Sequence, residues 1–526
     1  MQRGIVLIVL LVLLAGRAAA QLSTSALLDT IQYTAFRFFW DEANPVNGLI
    51  KDRSTSGSPS SIASVGYGLS AICIGVDHGW VSRPAAQDRV LRTLRTFWRS
   101  PQGPGAGYIG MYGLYYHFLE MSTAGRTWDS ELSTIDTALL LAGIIDAKQY
   151  FSGTDSVETA IRSLADSIYY RMNWDLMRNY NAGILMGWQP GTGFLYYGPW
   201  VGYNEATIMY ILAMGSPTYP VDYEGWRTWT MGYDWETHYS QTYVIFPPLF
   251  GHQYSHCWID FRSIQDEYMR EKRITYFENS RRATLAQHAY CIANPGKHAG
   301  YGDSLWGITA SDTPTGYRAR GAPPAENDDG TLVPTAPISS IPFAPEVVIP
   351  AIHKMWNTYR PQLWMKYGFR DAFNLNVNWW DTDVIGIDQG PIIIMIENYR
   401  TGKVWDRFMK NADVQRGLKA AGFTAVTSTA TGSEEVPSSV QLNQNYPNPF
   451  NPVTTISFVL PKGHDTPVTL RVYDLLGKSV ATLVDTPMSA GVHNVTFDAA
   501  AVSAGMYIYR LRAGGVTLTR SMLVVK

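Results

Sequence analysis

The sequence predicts a mainly α-helical domain of the α/α toroid type, followed by a small antiparallel β-sandwich. Three observations predict it. Helical periodicity recurs from residue 21 to about residue 425. Long Gly/Pro/aromatic connections separate the helical segments, and near residue 426 the text changes to short alternating stretches. About a dozen helices joined by such loops suit helical hairpins set in a ring, with the loops building one face. No internal repeat is visible in the sequence.

The chain has 526 residues, 46% of them hydrophobic and 16% charged, with a net charge of -2. This length supports a large core and more than one domain. The near-neutral balance excludes the basic footprint of a nucleic-acid binder. Aromatic residues make up 13%, with 17 Trp and 32 Tyr. Most must be core, but Tyr and Trp also combine a flat apolar face with a polar tip suited to stacking under sugar rings.

Taken in order, residues 1–20 read as a signal peptide. Arg3 precedes the apolar run Ile5 to Ala15, and Ala18-Ala19-Ala20 offers a small-residue cleavage site. The run is short for a membrane span, so the mature protein is expected to be exported. Residues 21–425 carry the helical segments, among them LLDTIQYTAFRFFWDEA, VGYGLSAICIGVDHGW, STIDTALLLAGIIDAKQYF and EATIMYILAMG, linked by loops such as GWQPGTGFLYYGPWVGY. Residues 426–439, VTSTATGSEEVPSS, form a polar linker. Residues 440–526 alternate as TISFVLP, VTLRVYDLLG, HNVTFDAA and GMYIYRLRAG, the spacing of a small β-sandwich. Cys73, Cys257 and Cys291 are odd in number, so no disulfide framework is expected, and buried free thiols are the simpler reading.

Two apolar helical stretches carry acids. SELSTIDTALLLAGIIDA holds Glu131 and Asp136, and GYNEATIMYILAMG holds Glu205. Carboxylates beside buried faces are capped, paired or working. Ser133 to Asp136 fits a capping box, and Asn204-Glu205 fits an N-cap followed by a first-turn acid. Both positions are also compatible with a carboxylate aimed from a helix mouth into a loop-built cleft. Helix-start amides favour the ionised form, which suits a general base. Glu131, just outside the turn, is then the candidate proton donor.

Further polar residues fall in aromatic settings. His252, His256 and Asp260 stand at i, i+4 and i+8 in GHQYSHCWIDFRSIQD, where a helix would put them on one face. Gln253 occupies the place where a zincin needs Glu, so sugar binding, with Trp258 stacking nearby, is favoured over a metal. His117 in GLYYHFLE, Arg262, Tyr203 ahead of Asn204-Glu205, and Trp306 in GYGDSLWGITASD join this substrate-binding set. Asp388 and Gln389 precede a Gly-Pro helix start and either cap it or project into the cleft. No G-x-S-x-G elbow and no phosphate-binding glycine loop occurs.

Together FFWDEANPVNGLIKDRS, ELSTIDTALLLAG, GYNEATIMYILAMGSP, FGHQYSHCWIDFRSIQD and GIDQGPIIIMIENYRTG resemble the bacterial glycoamylase-like family, including the endo-β-1,2-glucanases of glycoside hydrolase family 144. The resemblance runs in order over residues 25–412. It implies an (α/α)6 barrel and an inverting hydrolase acting on β-glucan, with Asp136 and Glu205 as catalytic acids and Glu131 close by. It also implies that Asp52, His117, His252, Gln253, Trp258 and Gln389 line the cleft, with no cofactor and no metal. Ser263 stands where many relatives are expected to have Gly. The stretch LNQNYPNPFNPVTTISFVLP with AGMYIYRLRAGG resembles the type A sorting domain of the type IX secretion system. That resemblance implies engagement of this machinery and release or attachment at the cell surface, with no nucleic-acid partner and no transmembrane span. The competing readings are an exo-acting glucan hydrolase or β-glucosidase, a polysaccharide lyase, and a non-catalytic glycan-binding surface protein.

Overall fold

A computed structural model describes residues 22–426, 440–445, 448–461, 466–489 and 491–525. The signal peptide expected at 1–20 and residues 427–439 of the expected linker lie outside the described residues. The rest falls into two compact units, one ending at Val426 and one beyond it.

The first unit is built from α1 (Thr24–Asp41), α2 (Ile62–Asp77), α3 (Arg83–Arg99), α4 (Thr134–Tyr150), α5 (Ser156–Tyr170), α6 (Thr207–Gly215) and α7 (Tyr223–Thr230). It continues with α8 (Glu267–Lys272), α9 (Tyr276–Ala293), α10 (Thr335–Ile338), α11 (Pro345–Leu363), α12 (Gly386–Arg400), α13 (Lys403–Phe408) and α14 (Ala412–Ala420). The sequence sorts these helices into two kinds. In α2, α4, α6 and α12 nearly every side chain is buried, so they read as hydrophobic on all faces and occupy the interior. In α3, α5, α7 and α14 an apolar stripe faces inward and charges face out. The pairing follows: α2 packs on α4, α12 and α1, α3 on α5, and α6 on α14.

Two glycines permit the closest of these contacts. A Cβ at Gly66 in α2 would lie 2.3 Å from the Leu139 carbonyl oxygen, and one at Gly143 in α4 would lie 1.9 Å from that of Gly66. The α4 interior also carries Asp146, fully buried and held by both forks of Arg407 from α13, at 2.6 and 2.8 Å. An acid in so apolar a helix is tolerated because the fork supplies both its charge partner and its hydrogen bonds.

The four interior helices share one further property: each begins at the same cleft. Ser61 precedes α2, Ser133 precedes α4, Glu205 precedes α6 and Ile385 precedes α12, and all four residues line it. Short antiparallel ladders clamp the loops there. Ser60–Ser61 pairs with Phe118–Leu119, and Leu132–Ser133 pairs with Gly187–Trp188. All three cysteines are free and buried. Among the described residues no helix is long and apolar enough to cross a membrane.

Three local expectations are corrected. The segment with His252, His256 and Asp260 is not a helix but two separate 3-10 turns, Leu249–His252 and Ser255–Cys257, so the three side chains share no face. The last interior helix starts at Gly386 rather than after Gln389, because the Asp388 and Gln389 amides already bond back to the Ile385 carbonyl. Helix α6 starts at Thr207 with Ala206 as its cap, two residues later than a cap at Asn204 would place it, so Glu205 lies ahead of the first turn.

The second unit contains β1 (Gln441–Leu442), β2 (Val453–Leu460), β3 (Thr466–Tyr473), β4 (Ser479–Met488), β5 (Gly491–Asp498), β6 (Gly505–Ala513) and β7 (Val516–Val524). They form antiparallel sheets ordered β1-β2-β5 and β4-β3-β6-β7. Ile456 and Phe458 of the first meet Leu470, Tyr509 and Leu511 of the second in one apolar core, which follows from their period-2 alternation.

Gly143→Ala should destabilise the first unit by about 1–3 kcal/mol or more, since the added methyl meets backbone rather than a side chain that can turn away. A fall in the urea unfolding midpoint at unchanged slope would show this; an unchanged midpoint would contradict the close helix contact.

Candidate active site

The cleft at the helix starts encloses about 690 Å³, within the usual range for ligand sites. Asp52, His117, Glu131, Asp136 and Glu205 all line it, so five of the sequence candidates converge from four separate segments.

His117 is fixed by backbone before its side chain does anything. Its amide donates to the Glu131 carbonyl at 2.9 Å, and its carbonyl accepts from the first amide of α2 at 3.2 Å. The imidazole then stands between two carboxylates, with Nδ1 3.0 Å from Glu131 Oε1 and Nε2 3.5 Å from Asp136 Oδ2. Burial disfavours charge on the ring, but Asp136 and Glu131 outweigh it and raise His117 to about 9. The imidazole is therefore a cation at neutral pH. Reciprocally, burial would raise Glu131, but the His117 hydrogen bond and charge dominate and hold it below the usual range.

Asp136 performs the capping expected of it and faces the cleft as well. The Ser133 hydroxyl accepts from the Asp136 amide at 3.2 Å and donates to its Oδ2, a capping-box arrangement at the first turn of α4.

Glu205 is different. Helix α6 is capped by Ser255 from a distant loop, whose hydroxyl accepts from the Ile208 amide at 3.0 Å and donates to the Glu205 carbonyl at 2.9 Å. Glu205 thus stands before the turn and draws little on its amides. Among the described residues no cation pairs with it. Burial, with Asp136 adding repulsion, pushes its carboxyl up to about 7. This reverses the expected division of labour. Glu131, expected to carry the proton, is held ionised by His117, and Glu205, expected to be ionised, is the carboxyl that keeps a proton near neutrality. Asp52, raised by burial against the opposing Arg53 and His117, completes the acidic rim.

The remaining sequence candidates do not line the cleft. Tyr203 stacks on Tyr276 and Trp229 in the core. His252 is buried beside Tyr203, and burial lowers it to about 3. Gln253 donates to the Ala336 carbonyl and Ser340, and His256 bonds Ser280 and packs on Phe261 and Phe343. Trp258 lies against Tyr67 and donates to Ser70. Trp306 is buried with its indole N–H on the Val347 carbonyl. Arg262 forks onto Asp260 and covers Trp405 at the surface. Asp388 and Gln389 are buried in the first turn of α12. Each of these side chains is turned into the core or onto a surface partner, and among the described residues the His252 ring nitrogens, Gln253 Oε1, His256 Nδ1 and Asp388 Oδ2 are buried without a hydrogen-bond partner.

Sequence reasoning missed Arg53, Trp128, Tyr196, Tyr254 and Tyr317, all of which line the cleft. Trp128 and Tyr196 are 65% and 73% exposed, large apolar faces left open at its rim. The aromatic loop GFLYYGPW and the Asp52-Arg53 pair were the available signals; nothing local marked Trp128 or Tyr317.

Residues 197–412 match the family described as "Putative glucoamylase", and residues 444–526 match the secretion system C-terminal sorting domain. An exo beta-1,2-glucooligosaccharide sophorohydrolase (non-reducing end) of Parabacteroides distasonis is 30% identical over 428 residues, covering 75% of this chain; the chain spans 57% of that relative's length. A crystal structure from Bacteroides uniformis, described as a glucoamylase of the same kind, is 34% identical with a TM-score of 0.72, over 77% of this chain and 98% of that one. An endo-β-1,2-glucanase from Chitinophaga pinensis, solved with sophorotriose and glucose, is 29% identical with a TM-score of 0.71, over 77% and 99% of the two chains.

The His117 ring should titrate near 9 by nitrogen NMR, and Glu131→Gln should move the midpoint down, because one partner that favours the cation is lost while burial remains. A midpoint near the unperturbed 6.5 in the parent chain would contradict the bridging geometry.

Proposed function

We propose that this chain, which belongs to the glucoamylase-like family, is an exported glycoside hydrolase that cleaves β-1,2-glucan by inversion. The observation that carries the reading is the division of the cleft acids: Glu205 is lifted to about 7, while Glu131 is held low by His117. Inversion needs one protonated and one ionised carboxyl flanking the scissile bond, with room for a water between, roughly 6.5–9.5 Å or a bridging chain. Glu205 donates its proton to the departing glycosidic oxygen. Asp136 takes a proton from the attacking water, with the His117 cation beside it holding its orientation. Glu131 fixes His117 and is a positioning residue.

The P. distasonis and C. pinensis relatives, both named for β-1,2-linked glucans, support the linkage. Endo action on a polymer is favoured by the open rings of Trp128 and Tyr196, which extend the stacking surface beyond the carboxylates. Exo action is the second reading, since the curated relative is named as exo-acting. The (α/α)6 ring is likewise proposed from the four interior helices that open onto one cleft. The match of 444–526 to a secretion sorting domain supports export through the type IX machinery, with the β-sheet unit as its recognition element.

Incubation with linear β-1,2-, β-1,3- and β-1,4-glucans and α-1,4-glucan should release α-anomeric oligosaccharides from the β-1,2-glucan alone. Mixed lengths at early times support endo action, disaccharide alone supports exo action, and glucose from starch would overturn the reading. Glu205→Gln should lower kcat by about 10²–10⁴-fold. The proton donor is present below its pKa and lost above it, so kcat/KM should fall as pH rises through about 7. If Glu131 were the donor, activity would already be lost above the ordinary carboxylate range, because its pKa is lowered.

A further inference from the structure

Behind one wall of the cleft lies a second concentration of acid that the hydrolase reading does not use. Asp312 comes from the loop bridged between Ser311 and Arg318, which also supplies Tyr317 to the cleft. Asp371 and Asp381 come from either side of the hairpin of strands Phe373–Asn374 and Trp379–Trp380. The three carboxylates each offer an oxygen within 4.8 Å of the others. Asp371 and Asp381 are only 4% and 5% exposed.

The available donors do not satisfy them. Asp312 Oδ2 takes Arg53 Nη1 at 2.8 Å, Asp371 Oδ2 takes the Asp312 amide at 2.8 Å, and Asp381 Oδ1 takes the Thr382 amide at 2.6 Å. Asp371 Oδ1 and Asp381 Oδ2 are buried and take none of these bonds, and Asp371 meets the neighbouring Asp388 carboxyl to carboxyl. Arg53 also reaches Asp52 and Asp383, and among the described residues it is the one cation paired within this set. Arg370 spends its guanidinium on the Gln362 and Asp381 carbonyls instead. A buried carboxylate oxygen without a donor is costly, and those of Asp371 and Asp381 stand in one three-carboxylate cluster with Asp312, an arrangement that calls for a cation.

We propose that Asp312, Asp371 and Asp381 bind a hard divalent cation of the calcium class, which ties the Tyr317 loop to the Trp379–Trp380 hairpin and so stiffens one wall of the cleft. All the donors are oxygen, which selects calcium-like ions over zinc or copper. Three carboxylates supply part of a coordination shell of six to eight, and waters and backbone carbonyls can complete it. The role is structural, since the ion would stand behind Arg53 and away from Glu205.

The test uses the full chain after EDTA treatment and needs no substrate. Calorimetric titration with calcium chloride, paired with thermal melts, should show saturable binding of one ion per chain and a rise in Tm on saturation. Asp381→Asn should weaken calcium binding at least tenfold, and Glu131→Gln, in the cleft's own His117-Glu131-Asp136 cluster, should leave it unchanged. Should Asp381→Asn not fold, the partly exposed Asp312→Asn takes its place in the same titration. Absence of saturable binding up to about 1 mM calcium, the weak end for extracellular sites, would overturn the proposal and leave shared protons as the charge balance. Binding that survives the aspartate substitution, or is lost in Glu131→Gln, would overturn it equally.

Discussion

The imidazole of His117 stands 3.0 Å from Glu131 and 3.5 Å from Asp136, and the chemistry of the cleft depends on that placement. Glu131 is held low by the His117 cation, its hydrogen bond and charge outweighing the burial that would raise it. The carboxyl that lies beyond its reach, Glu205, has no such partner and is the one burial can hold protonated. In the proposed mechanism, acid and base roles are sorted by which carboxyls share a cation rather than by the acids' own identities.

The fold delivers this arrangement through four helices buried on nearly every face. A helix with no solvent side must begin where the interior opens, and α2, α4, α6 and α12 all begin at the cleft. Their first-turn amides face it, which favours negative charge there. Asp136 sits within such a turn and is capped by Ser133. Glu205 stands one step outside its own, since Ser255 has taken over the cap of α6. Placement inside the first turn or just ahead of the cap separates the two environments.

Much of this was legible in the residues. Apolar text without an amphipathic stripe marks the interior helices, and acids set into it mark Asp136, Glu205 and the capped start of α4. The alternating β text after residue 440 lies on strands, as its period requires. What could not be read was which polar side chains find partners in the core. His252, Gln253, His256 and Trp258 sit in a segment dense with sugar-binding residue types, yet His252 is buried beside Tyr203 and the other three bond Ser340, Ser280 and Ser70, 87, 24 and 188 residues away along the chain. The environments of Glu131 and Glu205 were not legible for a related reason: the His117–Glu131 contact and the Ser255 cap are tertiary, and no spacing within ELSTID or YNEA encodes them. The aromatic rim is a matter of exposure, a property of the assembled loops.

The account stands or falls on the protonation of one carboxyl. Carbon NMR of the Glu205 side chain, followed across pH in the folded enzyme, measures it directly. The account predicts a midpoint near 7, so that a substantial share of the molecules carry the proton at neutrality. A midpoint in the ordinary glutamate range near 4.3, with Glu205 ionised alongside Glu131 and Asp136, would contradict it.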